Sequence, residues 1–158
     1  MNNISQQQVP FNLYRYQRRM MPVLLGWAAG SMVVGGFWWF SKNRLLKGVG
    51  GQFFAWGLID GLIALFGLRS AASNRAKFDQ GELDATDLDR QTQTFERILW
   101  VNVVLDVGYV WFGRRMQRQA GSSDLKRGTG LGIMIQGAFL FVWDLMLIFL
   151  MRSVGRRH

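Results

Sequence analysis

The chain has 158 residues, no cysteine and a single histidine, His158, at its last position. Lacking thiols and any internal imidazole, it cannot support thiol catalysis, disulfides, Cys/His zinc sites or His-ligated haem, and only carboxylates, amides and hydroxyls remain for chemistry. Apolar residues make up 49% and mean hydropathy is close to zero, while 19 Lys+Arg against 10 Asp+Glu give a formal charge of +9 that is confined to a few segments between long apolar runs.

Residues 1–19 read as a basic, interfacial segment carrying Arg15, Arg18 and Arg19. Residues 20–40 (MMPVLLGWAAGSMVVGGFWWF) contain no charge. That length matches the roughly 20 helical residues needed to cross a hydrocarbon core ~30 Å thick. A helix of a soluble bundle would show a polar stripe toward water; this run shows none, and Trp38, Trp39 and Phe40 gather at its end as an aromatic belt does. The run is too long for a signal-peptide core and lacks a small-residue cleavage site. Pro22 falls in the first turn of the expected helix, where its missing N–H does little harm.

The second span covers 49–68 with Asp60 as its only charge, and the fourth covers 131–151 with Asp144. Between them, the apolar run 98–112 is short, so its helix is expected to start earlier and cover 92–113. Continuous runs exclude membrane strands, which alternate. Lys and Arg stand just outside the ends, at Lys42, Arg44, Arg69, Arg97, Arg114, Arg115, Lys126, Arg127 and Arg152. Their spread over every extramembrane segment fits snorkelling and headgroup contact, and argues against a nucleic-acid partner, which would gather them on one face. In the 69–97 connection, Gly81 breaks the helical pattern, and Asp84 and Asp87 supply a helix cap and first-turn negative charge. The expected fold is all-α: a four-transmembrane-helix bundle made of two helical hairpins, forming one domain over 20–152 with a basic tail at 153–158. The termini share a side with the 69–97 connection, and the larger Lys/Arg total there places them in the cytoplasm.

The hairpins carry a weak internal repeat. Leu46-Lys47-Gly48-Val49-Gly50 resembles Lys126-Arg127-Gly128-Thr129-Gly130, and Gln52 precedes Asp60 by the same interval that separates Gln136 from Asp144. Positions four and eight apart share a helix face, so the second and fourth spans each present a Gln and an Asp on one stripe. The third presents Asn102 and Asp106, with Tyr109 close by. Helical rise sorts these into a midplane layer (Asp60, Asn102, Asp144) and a shallower one (Gln52, Asp106, Gln136). Trp56 lies on the Gln52–Asp60 stripe as core packing. Three acids in lipid cost roughly 2.5–3.5 kcal/mol each, and no span holds a Lys or Arg to neutralise them. They must therefore be protonated, border water or bind a cation. Small-xxx-small pairs, Gly26/Gly30 and Ser31/Gly35 in the first span and Gly57/Gly61 in the second, are expected to let helices approach closely.

The succession Gly26-Trp-Ala-Ala-Gly30, Gln52…Trp56…Asp60, Asn102-Val-Val-Leu-Asp106-Val-Gly-Tyr109, Gly128-Thr-Gly130 and Gln136-Gly…Trp143-Asp144 resembles an uncharacterised bacterial family of small four-span membrane proteins. The resemblance covers the chain from about residue 13. It implies four membrane helices, an inner-membrane location and no known activity; it also implies an amide more often than an acid where this chain has Asp60.

The function expected is that of a non-enzymatic, multi-pass inner-membrane protein, structural, accessory or a subunit of a complex, whose Asp/Gln/Asn network organises the bundle. The alternative is a proton- or cation-linked carrier acting as an oligomer. Intramembrane aspartyl proteolysis would need Tyr-Asp and Gly-x-Gly-Asp contexts, and phosphatidyl transfer several Asp along one helix with divalent metal; neither pattern occurs. No catalytic residue, metal ligand or cofactor is expected. The partners expected are the lipid bilayer and a second copy or a larger membrane complex.

Overall fold

The structure, a computed structural model, describes residues 12–155. Most of the basic segment 1–19 and the end of the tail, His158 included, lie outside the described residues. Every element described is a helix: α1 (Leu13–Trp39), α2 (Arg44–Asp79), α3 (Ala85–Arg118) and α4 (Asp124–Gly155). At ~1.5 Å per residue their lengths are ~40, ~54, ~51 and ~48 Å. All four outrun the apolar stretches that announce them. Helices α1, α2 and α4 are long and apolar enough to cross a membrane. The apolar stretch of α3 is hemmed between Arg97 and Arg114 and holds Asn102 and Asp106, and α3 does not reach that measure.

The ends are set by local chemistry. Asn12 caps α1 by accepting from the Arg15 N–H, and Asn43 caps α2 by accepting from Leu45 and Leu46. Asp84 and Asp87 form a reciprocal capping box at the start of α3. Gly81 and Gly121 take left-handed backbone (φ +76° and +54°) in the two turns that follow α2 and α3, a conformation other residues rarely adopt. Because α1 begins at Leu13, Pro22 lies in the helix interior and not in its first turn. It leaves the carbonyl four residues back, at exposed Arg18, without its helical partner. The early start is explained by burial: Leu13 and Tyr14 pack with Ala71 of α2 and Leu88 of α3, closing that end of the bundle.

Helix α1 packs along α2 and α3 along α4, each pair antiparallel, while α2 and α4 lie side by side in parallel. Glycines seal the end that carries the 40–43 and 119–123 turns. Gly48 sits against the Leu125–Thr129 backbone, and Gly128 against the Leu45 backbone, with no room for a methyl group on either. Gly35 and Gly50 abut across α1/α2, as Gly113 and Gly130 do across α3/α4. Gly57 lies against Ala28 and Met32, and Gly61 against the Ala28 methyl. A methyl at Gly26 or Gly30, by contrast, would meet nothing within 4 Å, so neither position faces a neighbouring helix closely. The reason is angular. The buried seam of α1 is Met21, Leu24, Ala28, Ser31 and Gly35, and a residue two positions from Ala28 points about 200° away from it at ~100° per residue. Toward the opposite end the bundle is filled by large side chains, among them Tyr16, Met21, Leu99, Leu147, Ile148 and Met151.

Polarity runs from inside to outside in the reverse of a soluble bundle. Val33, Phe37, Phe66, Val104, Val142 and Phe149 are exposed, whereas Asp60, Asp106, Gln136 and Asp144 are buried. Buried acids beneath an apolar exterior suit hydrocarbon as the surrounding solvent.

Candidate functional site

Between the glycine-sealed end and the bulky end lies a cavity of about 220 Å³. Helix α2 contributes Trp56, Ile59, Asp60 and Ile63; α3 contributes Asn102, Leu105, Asp106 and Tyr109; α4 contributes Leu140, Trp143 and Asp144; and Leu24 of α1 forms part of the wall. Helical spacing explains each set. Trp56, Asp60 and Ile63, like Asn102, Asp106 and Tyr109, recur three or four positions apart and so share one helix face.

Asp60, Asp106 and Asp144 are 2%, 3% and 6% exposed. They stand close enough to feel one another's charge, and the Asn102 side chain lies within interaction range of Asp144. Hydrogen bonding leaves three buried atoms here without a partner: Asp60 Oδ2, Asp106 Oδ2 and Trp143 Nε1. A buried, unpaired polar atom is costly unless something occupies the space in front of it. Trp56 and Tyr109 meet edge to face at 4.9 Å between ring centres. Helices α2 and α3 do not pack backbone to backbone beside the cavity, and its outer rim consists of the exposed side chains Ile59, Ile63 and Leu105.

The sequence-derived residues therefore separate. Asp60, Asn102, Asp106, Tyr109 and Asp144 share the cavity. Asp106 joins the others because it lies one turn from Asn102, ~6 Å along the axis, and one cavity spans both. Gln136, fully buried, belongs elsewhere. Its amide accepts from Trp27 Nε1 at 3.1 Å and donates to the Ser31 hydroxyl at 3.3 Å. Gln52 is half-buried against Gly132 at the α2/α4 contact. Trp143, which the sequence analysis names only within the family resemblance, is a further polar side chain of the cavity. The signal was its place beside Asp144 and one turn from Leu140, on the face that turns inward.

Among the described residues, no three acids are arranged to hold one metal ion. No curated protein and no solved structure matches the chain. Residues 23–145, which span both hairpins and the whole cavity, match the family described as "Family of unknown function (DUF6992)", and the chain belongs to that family.

Proposed function

We propose that this protein is a multi-pass membrane protein whose central cavity holds exchangeable protons, a proton- or cation-linked carrier and not an enzyme. The observation that carries the reading is the pair of unpartnered carboxylate oxygens, Asp60 Oδ2 and Asp106 Oδ2, buried at a cavity. A network that served only to hold helices together would spend its hydrogen bonds across helices. Asp60 and Asp106 each leave one carboxylate oxygen unspent. No Lys or Arg lines the cavity, so three ionised acids in hydrocarbon would go unneutralised, and protons or a cation must share the site.

A structural role is favoured for one part of the expected network, on a specific observation. Gln136 ties Ser31 and Trp27 of α1 to α4 with both ends of its amide engaged. Such bonds act as modest glue.

In this reading α3 also crosses the bilayer. Its antiparallel contact with α4, with Gly113 against Gly130 and Asp106 against Gly137, supports a shared path for the two helices. The two hairpins are read as an internal repeat in which Gly48 and Gly128 stand 80 residues apart, as do Gly50 and Gly130, while Gln52 and Gln136, like Asp60 and Asp144, stand 84 apart, about one helical turn further along α4. In each pair of repeats these glycines occupy corresponding backbone contacts. The location proposed is the bacterial cytoplasmic membrane with cytoplasmic termini, and the working unit an oligomer.

The test is proton flux across proteoliposomes under an imposed pH gradient. The wild type should carry flux, and Asp106→Asn and Asp144→Asn should lower it at least tenfold while keeping helical circular dichroism and a monodisperse elution profile. Absence of flux in the wild type, or undiminished flux in both folded variants, would reject the carrier reading and leave the acids as helix adhesives.

A further inference from the structure

We infer that the cavity is a binding site for an organic ammonium cation about the size of tetraethylammonium, reached from the lipid side between α2 and α3. The inference rests on the reading above that the carboxyls hold exchangeable protons. It adds the identity of what is exchanged.

Four features of the cavity narrow the ligand. Its walls join acids to aromatic rings, with Asp60, Asp106 and Asp144 beside Trp56, Tyr109 and Trp143. Carboxylates supply the counter-charge, and ring faces attract a cation through their quadrupole, the combination by which quaternary ammonium groups are recognised. Apart from Asn102, the remaining walls are aliphatic, Leu24, Ile63 and Leu140 among them, and suit alkyl substituents. The volume, about 220 Å³, is many times what one ordered water needs. Finally, among the described residues no three acids are placed to hold one metal ion, and a hard inorganic cation calls for such a set of oxygens around it. A diffuse organic charge needs none.

The route follows from the rim. Ile59 and Ile63 on α2 and Leu105 on α3 are 46%, 55% and 48% exposed, and they border the cavity where these two helices stay apart. An amphiphilic cation that partitions into the bilayer can pass an apolar rim of this kind. The charged groups that face it come from three helices: Asp60, Asp106 with Tyr109, and Asp144, while α1 presents only Leu24. Entry of one monovalent cation displaces one proton from the carboxyls, which leaves to water, so the charge of the site is unchanged.

The experiment uses the full chain in lipid nanodiscs, titrated with benzyltrimethylammonium and, separately, with its uncharged isostere neopentylbenzene. Intrinsic tryptophan fluorescence reports binding, and a pH-indicator dye reports protons released. The ammonium should bind saturably, more tightly as pH rises from 6 to 8, with proton release; the isostere should not saturate. Asp106→Asn should abolish binding. Trp56→Leu, which keeps an apolar side chain but removes a ring face, should weaken it roughly 3- to 30-fold, and Gln136→Leu should leave it unchanged. If Asp106→Asn misfolds, the Trp56→Leu comparison still decides. Equal binding of charged and uncharged probes, or unchanged affinity in Trp56→Leu, would overturn the assignment. Proton flux in proteoliposomes without ammonium binding would overturn it while leaving the proton-carrier reading intact; loss of both would remove both.

Discussion

Gln136 and Asp106 are both polar side chains in an apolar bundle, and their surroundings assign them opposite work. Every bond Gln136 can make in its pocket serves to join α1 to α4, so its value is adhesive. Gln136→Leu keeps the volume and leaves the Trp27 N–H and the Ser31 hydroxyl without their Gln136 partner. The expected cost is about 0.6–1.7 kcal/mol, read as a lower unfolding midpoint in mild detergent titrated with SDS. Ser31 can turn its hydroxyl to its own helix backbone, which keeps the loss at the lower end. Asp106, whose Oδ2 has no partner in the protein, should behave differently. Asp106→Asn removes the charge but keeps the shape, so stability in the same assay should hold or rise by up to ~2 kcal/mol, since an ionisable group in hydrocarbon has been replaced by a neutral one. A fall of more than ~2 kcal/mol would mean that the carboxyl is a structural bond and not a binding group.

At the scale of the helix, close approach decides everything, and glycines decide close approach. A methyl at Gly35 would lie 2.5 Å from the Phe54 amide nitrogen and 2.7 Å from the Gly50 carbonyl, backbone atoms that cannot step aside. Gly35→Ala should therefore cost at least 1–3 kcal/mol. Gly30→Ala meets nothing within 4 Å and should be neutral or gain up to ~1 kcal/mol from better helix propensity. Paired unfolding curves check both, and a loss at Gly30 equal to that at Gly35 would contradict the packing described. This contrast also marks how far the sequence can be read. Two small-xxx-small patterns follow one another on α1, 26/30 and 31/35, and spacing alone does not say which faces protein; the partner helix does. Helix ends were legible where a cap is written in the residues, as at Asp84 and Asp87, and illegible where polar residues continue a helix beyond its apolar run, as from Arg69 to Asp79. The acids of the site were visible as misfits in apolar text. The cavity between them was not, because a void is made by helices that stay apart, and no residue encodes it.

For the whole molecule, three helices are long and apolar enough to cross a membrane, and the crossing of α3 proposed above is the part that labelling tests. The chain has no cysteine, so single cysteines report topology without interference. Lys42→Cys and Ser122→Cys, at the two turns sealed by glycine, should react with a membrane-impermeant maleimide from one side, and Gln80→Cys from the other. All three positions are exposed. Labelling of Lys42→Cys and Ser122→Cys from opposite sides would remove α3 from the bilayer and with it the four-span reading.

The parallel contact of α2 with α4 also governs how the chain can be built. When translation has delivered α1 and α2, the first hairpin stands in lipid with the partner of Trp27 and Ser31 still unsynthesised, with bare backbone at Gly48 where Leu125–Thr129 will later rest, and with Asp60 lacking the helices that will enclose it. Nothing within that half can shield those surfaces. A chain that stops after α2 is therefore expected to disappear from cells faster than the full chain, which a pulse-chase of the two side by side would measure.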